Sequence, residues 1–259
     1  LGLQDVISNG IVDPLRPAGV IGDWFFTLDE GDVDPVLKIH SLGEAYRKGD
    51  PNYDQRSTVP AIVDTTTGAV VNNDYHVLTT EIATAFKEYI DPSIPDLYPE
   101  DLREDIDALN DVIYTDFNLA VNLAAMVTNQ KDYEFYFDRI FRRLDWLEER
   151  LSKQRYLMGD TITDPDIRLY VTLCRFDLVF YQKYFVNKKR LVDYSNLWNY
   201  AKDLYSNPAF GGTTSFESMR QRFYYVDHTP IEDLPRLVPK GPDDSIWLEP
   251  NDRAAKFAK

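Results

Sequence analysis

The apolar residues of this chain change their spacing at one point, the segment DPSIP at 91–95. Before it, apolar runs of strand length are separated by residues rich in Pro, Gly and Asp. After it, apolar residues recur every three or four positions, as the buried stripe of a helix requires. We therefore predict a small mixed domain over 1–91, a linker over 92–98, a helical domain over 99–228 and a Pro-rich, charged tail over 229–259 that follows the surface.

The first domain is predicted to contain strands at Asp5–Val12, Thr58–Asp64 and Ala69–Asn72. Residues 65–68 (TTTG) connect the last two strands, and their glycine suits a hairpin turn. The asparagine pair at 72–73 offers N-cap side chains for a following helix. The apolar stripe of that helix consists of Val77, Leu78, Ile82 and Phe86.

The helical domain is predicted to contain three long helices, each marked by an apolar stripe. The stripes are Leu102, Ile106, Leu109, Ile113, Phe117 and Val121; then Phe137, Ile140, Leu144, Leu147 and Leu151; then Ile167, Val171, Cys174, Leu178, Tyr181 and Phe185. A capping box at Thr163–Asp166, with Pro165 in an early helical position, predicts the start of the third. Shorter helices are expected around Leu197–Leu204 and Phe216–Phe223.

Composition excludes several classes of protein. The formal net charge of −15 disfavours nonspecific binding to nucleic acid, and no apolar run is long enough to span a membrane. The single cysteine, Cys174, excludes a disulfide framework and agrees with a reducing compartment. His40, His76 and His228 have no metal-ligand spacing. We expect a soluble, cytoplasmic protein without a bound metal.

A series of short motifs then narrows the interpretation. The motifs are DPNY at 50–53, Arg56, TVP at 58–60, VNN at 71–73, LYPE at 97–100, RYL at 155–157, DIRL at 166–169, RFD at 175–177, DY at 193–194, NLW at 196–198, YY at 224–225 and VPKGP at 238–242. In order and spacing they resemble the glutathionyl-hydroquinone reductases, the Xi class of the glutathione transferase superfamily. The resemblance implies a thioredoxin-like N-terminal domain, truncated in this chain, followed by an all-helical glutathione transferase C-terminal domain, and a homodimer.

The family reduces thiol-conjugated hydroquinones with the cysteine of a Cys-Pro-Trp-Ala motif, through a mixed disulfide that a second thiol resolves. This chain lacks the motif, and its first residues, Leu1–Ile7, resemble the family just downstream of it. The resemblance therefore places the nucleophile before Leu1, together with about one further strand and helix. Cys174 lies on a buried helical stripe, where a thiol is expected to be inert.

The resemblance also implies a thiol site, made of Trp24, Arg56, Val59, Pro60, Asp74 and Tyr75. Trp24 packs over the bound thiol, or else is a core aromatic residue; Arg56 holds a carboxylate, or else is a surface charge. Val59, before a cis proline, offers its backbone groups to the ligand. The family usually has Glu-Ser where this chain has Asp74 and Tyr75. That departure makes mycothiol an alternative to glutathione.

The hydroquinone side of the site is implied to include Asn122, Phe180, Tyr224 and Tyr225, although the family usually has tyrosine at the first two positions. Three functions stay open at this point. The leading one is a thiol-dependent reductase of S-conjugated hydroquinones. The others are a conjugating glutathione transferase, which needs no enzyme cysteine, and a ligand-binding protein without catalysis.

Overall fold

A computed structural model describes residues 1–15, 22–225 and 237–258 of the chain. The described residues form two compact units. The first contains Leu1–Ile94 and Gln221–Leu237, and the second contains Pro95–Arg220 and Val238–Lys259. The break between Ile94 and Pro95 falls inside the expected linker. The segment that begins at Gln221, which we expected to close the helical domain, is instead assigned to the first unit.

The first unit is built on a helix, a hairpin and a second helix. These are α1 (Leu42–Gly49), β1 (Ile62–Val63), β2 (Val70–Asn72) and α2 (Leu78–Ala85), with 3-10 turns at Glu30–Asp32 and Lys87–Tyr89. The strands are antiparallel, with Ile62 opposite Asn72 and Val63 opposite Val70. In the connecting turn Gly68 has a φ of 70°, a conformation that glycine adopts without strain. The predicted hairpin is confirmed, although its strands are shorter than expected.

The prediction of a strand at Asp5–Val12 is wrong. The amides of Val6 and Ile7 both donate to the carbonyl of Leu3, at 2.9 and 2.8 Å, and so form a turn. Val6 and Ile11 are 42% and 62% exposed. The apolar residues of this segment are therefore too few and too exposed to pack as a strand, and Ser8-Asn9-Gly10 interrupts them.

Helix α1 was not predicted, although the sequence carries a start signal for it. Ser41 and Glu44 form a capping box, in which Glu44 accepts hydrogen bonds from the amides of His40 (2.8 Å) and Ser41 (3.0 Å). Leu42, Ala45 and Tyr46 turn inward from α1. The apolar core that they join consists of Trp24, Phe26, Ile39, Leu42, Ala45 and Tyr46.

The second unit consists of helices and turns. The α-helices are α3 (Arg103–Ile113), α4 (Ala120–Met126), α5 (Gln130–Lys153), α6 (Asp164–Arg175), α7 (Tyr181–Lys183), α8 (Ser195–Tyr205), α9 (Pro208–Gly211), α10 (Phe216–Arg220) and α11 (Arg253–Lys256). Turns of π-helix occur at Tyr114–Asn118, Phe176–Phe180 and Gln221–Tyr225, the last of which belongs to the first unit. Turns of 3-10 helix occur at Glu100–Leu102, Leu191–Asp193 and Asp244–Leu248. The long apolar stripes predicted for α3 to α6 supply much of the buried core.

The start of α6 is fixed by the predicted capping box. Asp166 accepts hydrogen bonds from the amide of Thr163 at 2.9 Å and from its hydroxyl at 3.1 Å. The same carboxylate accepts from the amide of Leu157 at 2.9 Å and from the hydroxyl of Tyr200 at 2.7 Å. One buried side chain therefore connects α6, the loop before it and α8, and the prediction at Thr163 is confirmed.

The C-terminal residues are more integrated than the expected surface tail. Trp247 is 7% exposed and Arg253 is fully buried. Arg253 donates to the carbonyls of Leu151 (2.6 Å), Gln154 (2.5 Å) and Arg155 at the end of α5. The described part of this segment is thus a component of the helical core. The prediction of a surface tail rested on the charged composition of this segment. Burial of one ring, Trp247, and one cation, Arg253, is enough to attach the segment to the core although most of its other charges are exposed.

Glu148 on α5 fixes the start of α8. Its carboxylate accepts from the amides of Asn196 (2.9 Å) and Leu197 (2.7 Å) and from the hydroxyl of Ser195 (3.1 Å). Partial burial raises the pKa of Glu148, but these donors outweigh burial and the net pKa lies below the ordinary value.

We expect Glu148→Gln to lower the free energy of unfolding by about 1–2 kcal/mol at pH 7, because charge-assisted hydrogen bonds are lost. Because the pKa of Glu148 is lower in the folded state, its ionised carboxylate stabilises the fold at pH values above the unfolded-state pKa of about 4.3. That contribution is lost as the pH falls through the lower pKa of the folded state. Urea denaturation at pH 7 and near pH 3.5 checks this, since the gap between wild type and variant should shrink at low pH. A gap that is constant with pH contradicts the assignment.

Among the helices that the structure describes, none is both long and apolar enough to cross a membrane.

Candidate functional site

The segment Ser57–Pro60 of the first unit is held by two aromatic side chains. The indole Nε1 of Trp24 donates to the carbonyl of Ser57 at 3.1 Å. The hydroxyl of Tyr46 donates to the carbonyl of Thr58 at 3.0 Å and accepts from its amide at 3.3 Å. Trp24 and Tyr46 both belong to the buried core. The core of the unit thus fixes the backbone that leads to β1.

Val59 occupies the open part of this segment. Its side chain is 42% exposed, and the Val59–Pro60 peptide bond is cis. Among the described residues, no hydrogen bond uses the backbone N–H or C=O of Val59. Buried neighbours therefore hold an unpaired stretch of backbone in a fixed position, which is the arrangement by which an exposed edge pairs with an extended ligand.

A second element, the loop before α2, is tied to the same segment. The side-chain amide of Asn73 donates to the hydroxyl of Thr58 at 2.9 Å. Asp74 follows directly, and its Oδ1 accepts from the amide of His76 at 2.8 Å. The backbone carbonyl of Asp74 also accepts from the amides of Val77 and Leu78 as the chain enters α2. The exposed carboxylate of Asp74 thus lies just before α2, and Asp74 directly follows Asn73, the residue that contacts Thr58.

The remaining thiol-site candidates differ in exposure. Tyr75 is half-buried. Arg56 is exposed and forms no ion pair with another described residue. Its backbone carbonyl accepts from the hydroxyl of Tyr53 at 2.8 Å, and the rings of Tyr53 and Tyr46 stack at 4.8 Å. The structure therefore places Arg56 one residue before the fixed segment, with an exposed side chain.

Trp24 is 7% exposed, which agrees with the core interpretation that the sequence left open. The guanidinium of Arg222 lies 5.1 Å from the centre of its ring, a distance at which a cation–π interaction is favourable. Sequence reasoning did not select Arg222. The sequence signal for Arg222 was limited to its position two residues before the Tyr224-Tyr225 pair. No periodic pattern relates residue 222 to residue 24.

The hydroquinone-side candidates fall in both units. Asn122 is exposed on α4 and donates to the carbonyl of Asn118 at 2.9 Å. Phe180 is 3% exposed, with its ring 5.6 Å from that of Tyr184, and is therefore part of the second unit's core. Tyr224 is half-buried in the π-helical turn assigned to the first unit. The side chain of Tyr225 lies outside the described residues.

Cys174 has the environment of an inert thiol. It is 4% exposed, and its Sγ donates to the carbonyl of Val171 at 3.4 Å. Burial raises the pKa of the Cys174 thiol, and the nearby Arg175 guanidinium opposes this only in part. The prediction that Cys174 is buried is confirmed. A thiol in this state is a poor nucleophile, because the thiolate is the reactive form.

No group of His, Cys, Asp and Glu within the described ranges has the arrangement of a metal site. His228 lies outside those ranges.

Comparison with known proteins gives consistent results. Residues 130–203 match the family model for the glutathione S-transferase C-terminal domain. The chain is 32% identical over 258 residues to the glutathionyl-hydroquinone reductase YqjG of Escherichia coli, covering 99% of this chain and 76% of that protein.

Two solved structures illustrate the likeness of the folds. A glutathione transferase from Gordonia bronchialis is 41% identical and superposes with a TM-score of 0.93, over 100% of this chain and 79% of that one. The glutathione-bound structure of YqjG is 31% identical, with a TM-score of 0.86 over 99% of this chain and 82% of that one.

Proposed function

Because the chain belongs to the glutathionyl-hydroquinone reductase (Xi-class glutathione transferase) family, we propose that it reduces S-conjugated hydroquinones with a small thiol as co-substrate. Membership makes it a thiol-dependent enzyme of the glutathione transferase superfamily. The observation that carries the proposal is the backbone of Val59, which is exposed, unpaired among the described residues and fixed by the Trp24 and Tyr46 contacts. A cysteinyl ligand can pair with that backbone as a short strand.

The proposed reaction has two steps. A cysteine thiolate attacks the sulfur of the conjugate, so that a sulfur–sulfur bond forms and the carbon–sulfur bond breaks. The electron pair of the broken bond stays on the ring carbon, which takes up a proton and leaves as the free hydroquinone. A second thiol then attacks the mixed disulfide and releases the enzyme thiolate and a disulfide of the two small thiols. The ring carbon is reduced and the two thiols are oxidised, so the electrons balance.

The nucleophile in this proposal is not Cys174, whose buried thiol stays protonated. It is a cysteine outside residues 1–259, since Cys174 is the single cysteine within them. Splitting the reduction into two displacement steps is the advantage of an enzyme thiolate over direct attack by the free thiol.

The residues of this chain have binding roles in the proposal. Asp74 receives the ammonium group of the thiol ligand, and the exposed guanidinium of Arg56 receives a carboxylate. Trp24 contributes the indole wall behind the ligand, and Pro60 keeps Val59 turned toward it. Tyr75 faces the head group of the thiol. On the hydroquinone side, the hydroxyl of Tyr224 donates to a phenolic oxygen.

The thiol is glutathione or a thiol with a sugar head group such as mycothiol. Glutathione is supported by the glutathione-bound structure of YqjG, whereas Asp74 and Tyr75 depart from the family's usual Glu-Ser and favour another head group. We also propose that the protein works as a homodimer in the reducing cytoplasm.

Turnover of a glutathionyl-hydroquinone by the full-length protein tests this function. We expect thiol-dependent release of the free hydroquinone, together with one disulfide per turnover. Cys174→Val should retain that activity and cost less than about 1.5 kcal/mol of stability, because the change conserves most of the buried volume. Chromatography of the products, and mass spectrometry of the enzyme quenched without the second thiol, give the readouts.

Two results would overturn the proposal. Conjugation of an electrophile by a protein that never forms a mixed disulfide identifies a transferase instead. Loss of turnover in folded Cys174→Val shows that Cys174 is the nucleophile after all.

A further inference from the structure

A groove of about 540 Å³ is formed wholly by residues of the second unit. Its lining residues are Asp177, Tyr181, Gln182, Arg190, Val192, Trp198, Pro242, Asp243, Ile246 and Glu249. The volume is within the range typical of small-molecule sites, about 300–1,000 Å³. None of these residues has a role in the function proposed above, so the groove is a separate candidate for binding.

One wall of the groove is a rigid aromatic surface. Trp198 on α8 is half-buried, and its ring meets that of Trp247 edge-on at 4.8 Å. Trp247 is itself 7% exposed and contacts the rings of Tyr205 and Phe216 at 5.4 and 5.5 Å. Tyr181 adds a second half-buried ring to the lining. Aromatic rings held in this way can receive a ligand with little loss of side-chain entropy.

The rim of the groove is acidic. Asp243 and Glu249 are exposed, and the amide of Ser245 donates to Asp243 at 2.9 Å and lowers its pKa. Asp177 lies deeper and accepts from the amide of Leu191 at 2.6 Å, while burial raises its pKa. The rim therefore carries the carboxylates of Asp243 and Glu249, of which Glu249 lies 3.9 Å from the ammonium group of Lys202.

The cations near the groove are already engaged. Arg190 binds both carboxylate oxygens of Asp193, at 2.7 and 3.1 Å. Lys202 donates to the carbonyl of Pro250 at 2.9 Å and lies 5.4 Å from the centre of the Trp198 ring. The contact with Lys202 shows that the Trp198 ring accepts a positive charge in this setting. Because Arg190 is paired with Asp193 and the long Lys202–Glu249 contact offsets only Glu249, the acidic rim is only partly compensated, least of all at Asp243.

We propose that this groove binds a small organic cation of the arylalkyl-ammonium class, with its apolar part against Trp198 and Tyr181 and its charge balanced by Asp243 and Glu249. An aromatic wall and carboxylates are the combination that recognises an ammonium group, since the ring faces and the anions both attract positive charge. A neutral ligand gains only the apolar contacts, and an anion is repelled by the rim.

Calorimetric titration of the full-length protein with three soluble probes tests the proposal. The probes are benzyltrimethylammonium, benzyl alcohol and phenylmethanesulfonate, which share a ring and differ in charge. We expect the cation to bind about tenfold or more tightly than the alcohol, which corresponds to a favourable ammonium–ring contact, and the sulfonate to bind more weakly than the alcohol.

The double variant Asp243→Asn with Glu249→Gln isolates the rim charges, and asparagine keeps an oxygen for the Ser245 amide. It should weaken binding of the cation about fivefold or more and leave the alcohol unchanged. The matched control is Glu30→Gln with Asp32→Asn, two exposed residues of the first unit that change the net charge equally. Equal affinity for cation and alcohol, an unaffected rim variant, or an equal loss in the control variant each overturns the proposal.

Discussion

Replacement of Arg253 by methionine is expected to lower the free energy of unfolding by about 3–5 kcal/mol. The guanidinium is fully buried and donates to the carbonyls of Leu151, Gln154 and Arg155 at the end of α5. Methionine fills most of the space but donates nothing, so each buried carbonyl that loses its donor costs about 1–3 kcal/mol. Urea denaturation of the full-length protein measures the loss as a lower midpoint.

Lys256→Met is the matched control for that variant. Lys256 is an exposed cation on the same short helix, and it donates to the side-chain oxygen of Asn196 at 2.8 Å. Its removal should cost less than about 1 kcal/mol, since surface interactions are weak. Arg253→Lys should fall between the two, because an ammonium group reaches fewer of the carbonyls. Equal midpoints for Arg253→Met and Lys256→Met would show that the buried guanidinium contributes no more than a surface charge.

The paired change Asp74→Glu with Tyr75→Ser is expected to tighten glutathione binding about ten- to a hundredfold. A hydrogen bond to a charged group contributes about 1.5–3 kcal/mol, and the change restores the compact hydroxyl that the family usually has. In the structure Asp74 is turned back onto the amide of His76, at 2.8 Å. A glutamate reaches one methylene farther from the same backbone. Calorimetric titration of the full-length protein with glutathione and with mycothiol gives both affinities.

Tyr75→Phe is the control for the ring of Tyr75. It keeps the bulk and removes the hydroxyl, so it should not improve glutathione binding if bulk is the obstacle. Mycothiol, with its sugar head, should bind the wild type at least as well as it binds the paired variant. Micromolar affinity of the wild type for glutathione, unimproved by the paired change, would refute the argument about the head group.

The fold class was predictable in two steps: the spacing of apolar residues predicted a mixed part followed by a helical part, and the resemblance of motifs implied the glutathione transferase fold. Ile106, Phe117 and Leu144 are fully buried as their stripes required. The capping box at Thr163 was also predictable from the sequence. The capping box at Ser41 carried the same kind of signal and was overlooked, because the Pro- and Gly-rich residues around it favoured a loop.

The rest depended on contacts between residues far apart in the chain. The guanidinium of Arg222 lies over Trp24, and that of Arg253 binds carbonyls about one hundred positions earlier. Neither contact leaves a periodic pattern. The burial of Phe180 and the assignment of the turn at Gln221–Tyr225 to the first unit also depend on such contacts. The candidate thiol site came from the resemblance of motifs, and the physical setting of Val59 became apparent only from its neighbours.

The π-helical turn at Tyr114–Asn118 marks a place where the length of the chain can change. There the amide of Leu119 donates to the carbonyl of Tyr114, five residues earlier, at 2.8 Å. Such a turn holds one residue more than an α-helical turn. Loss of a single codon in it would leave an unbroken α-helix, and because the wide turn already absorbs the extra residue, the residues that follow would keep their faces. Val121, now fully buried, would stay on the inner face of α4, so a gap of one codon here would not alter which residues that helix exposes.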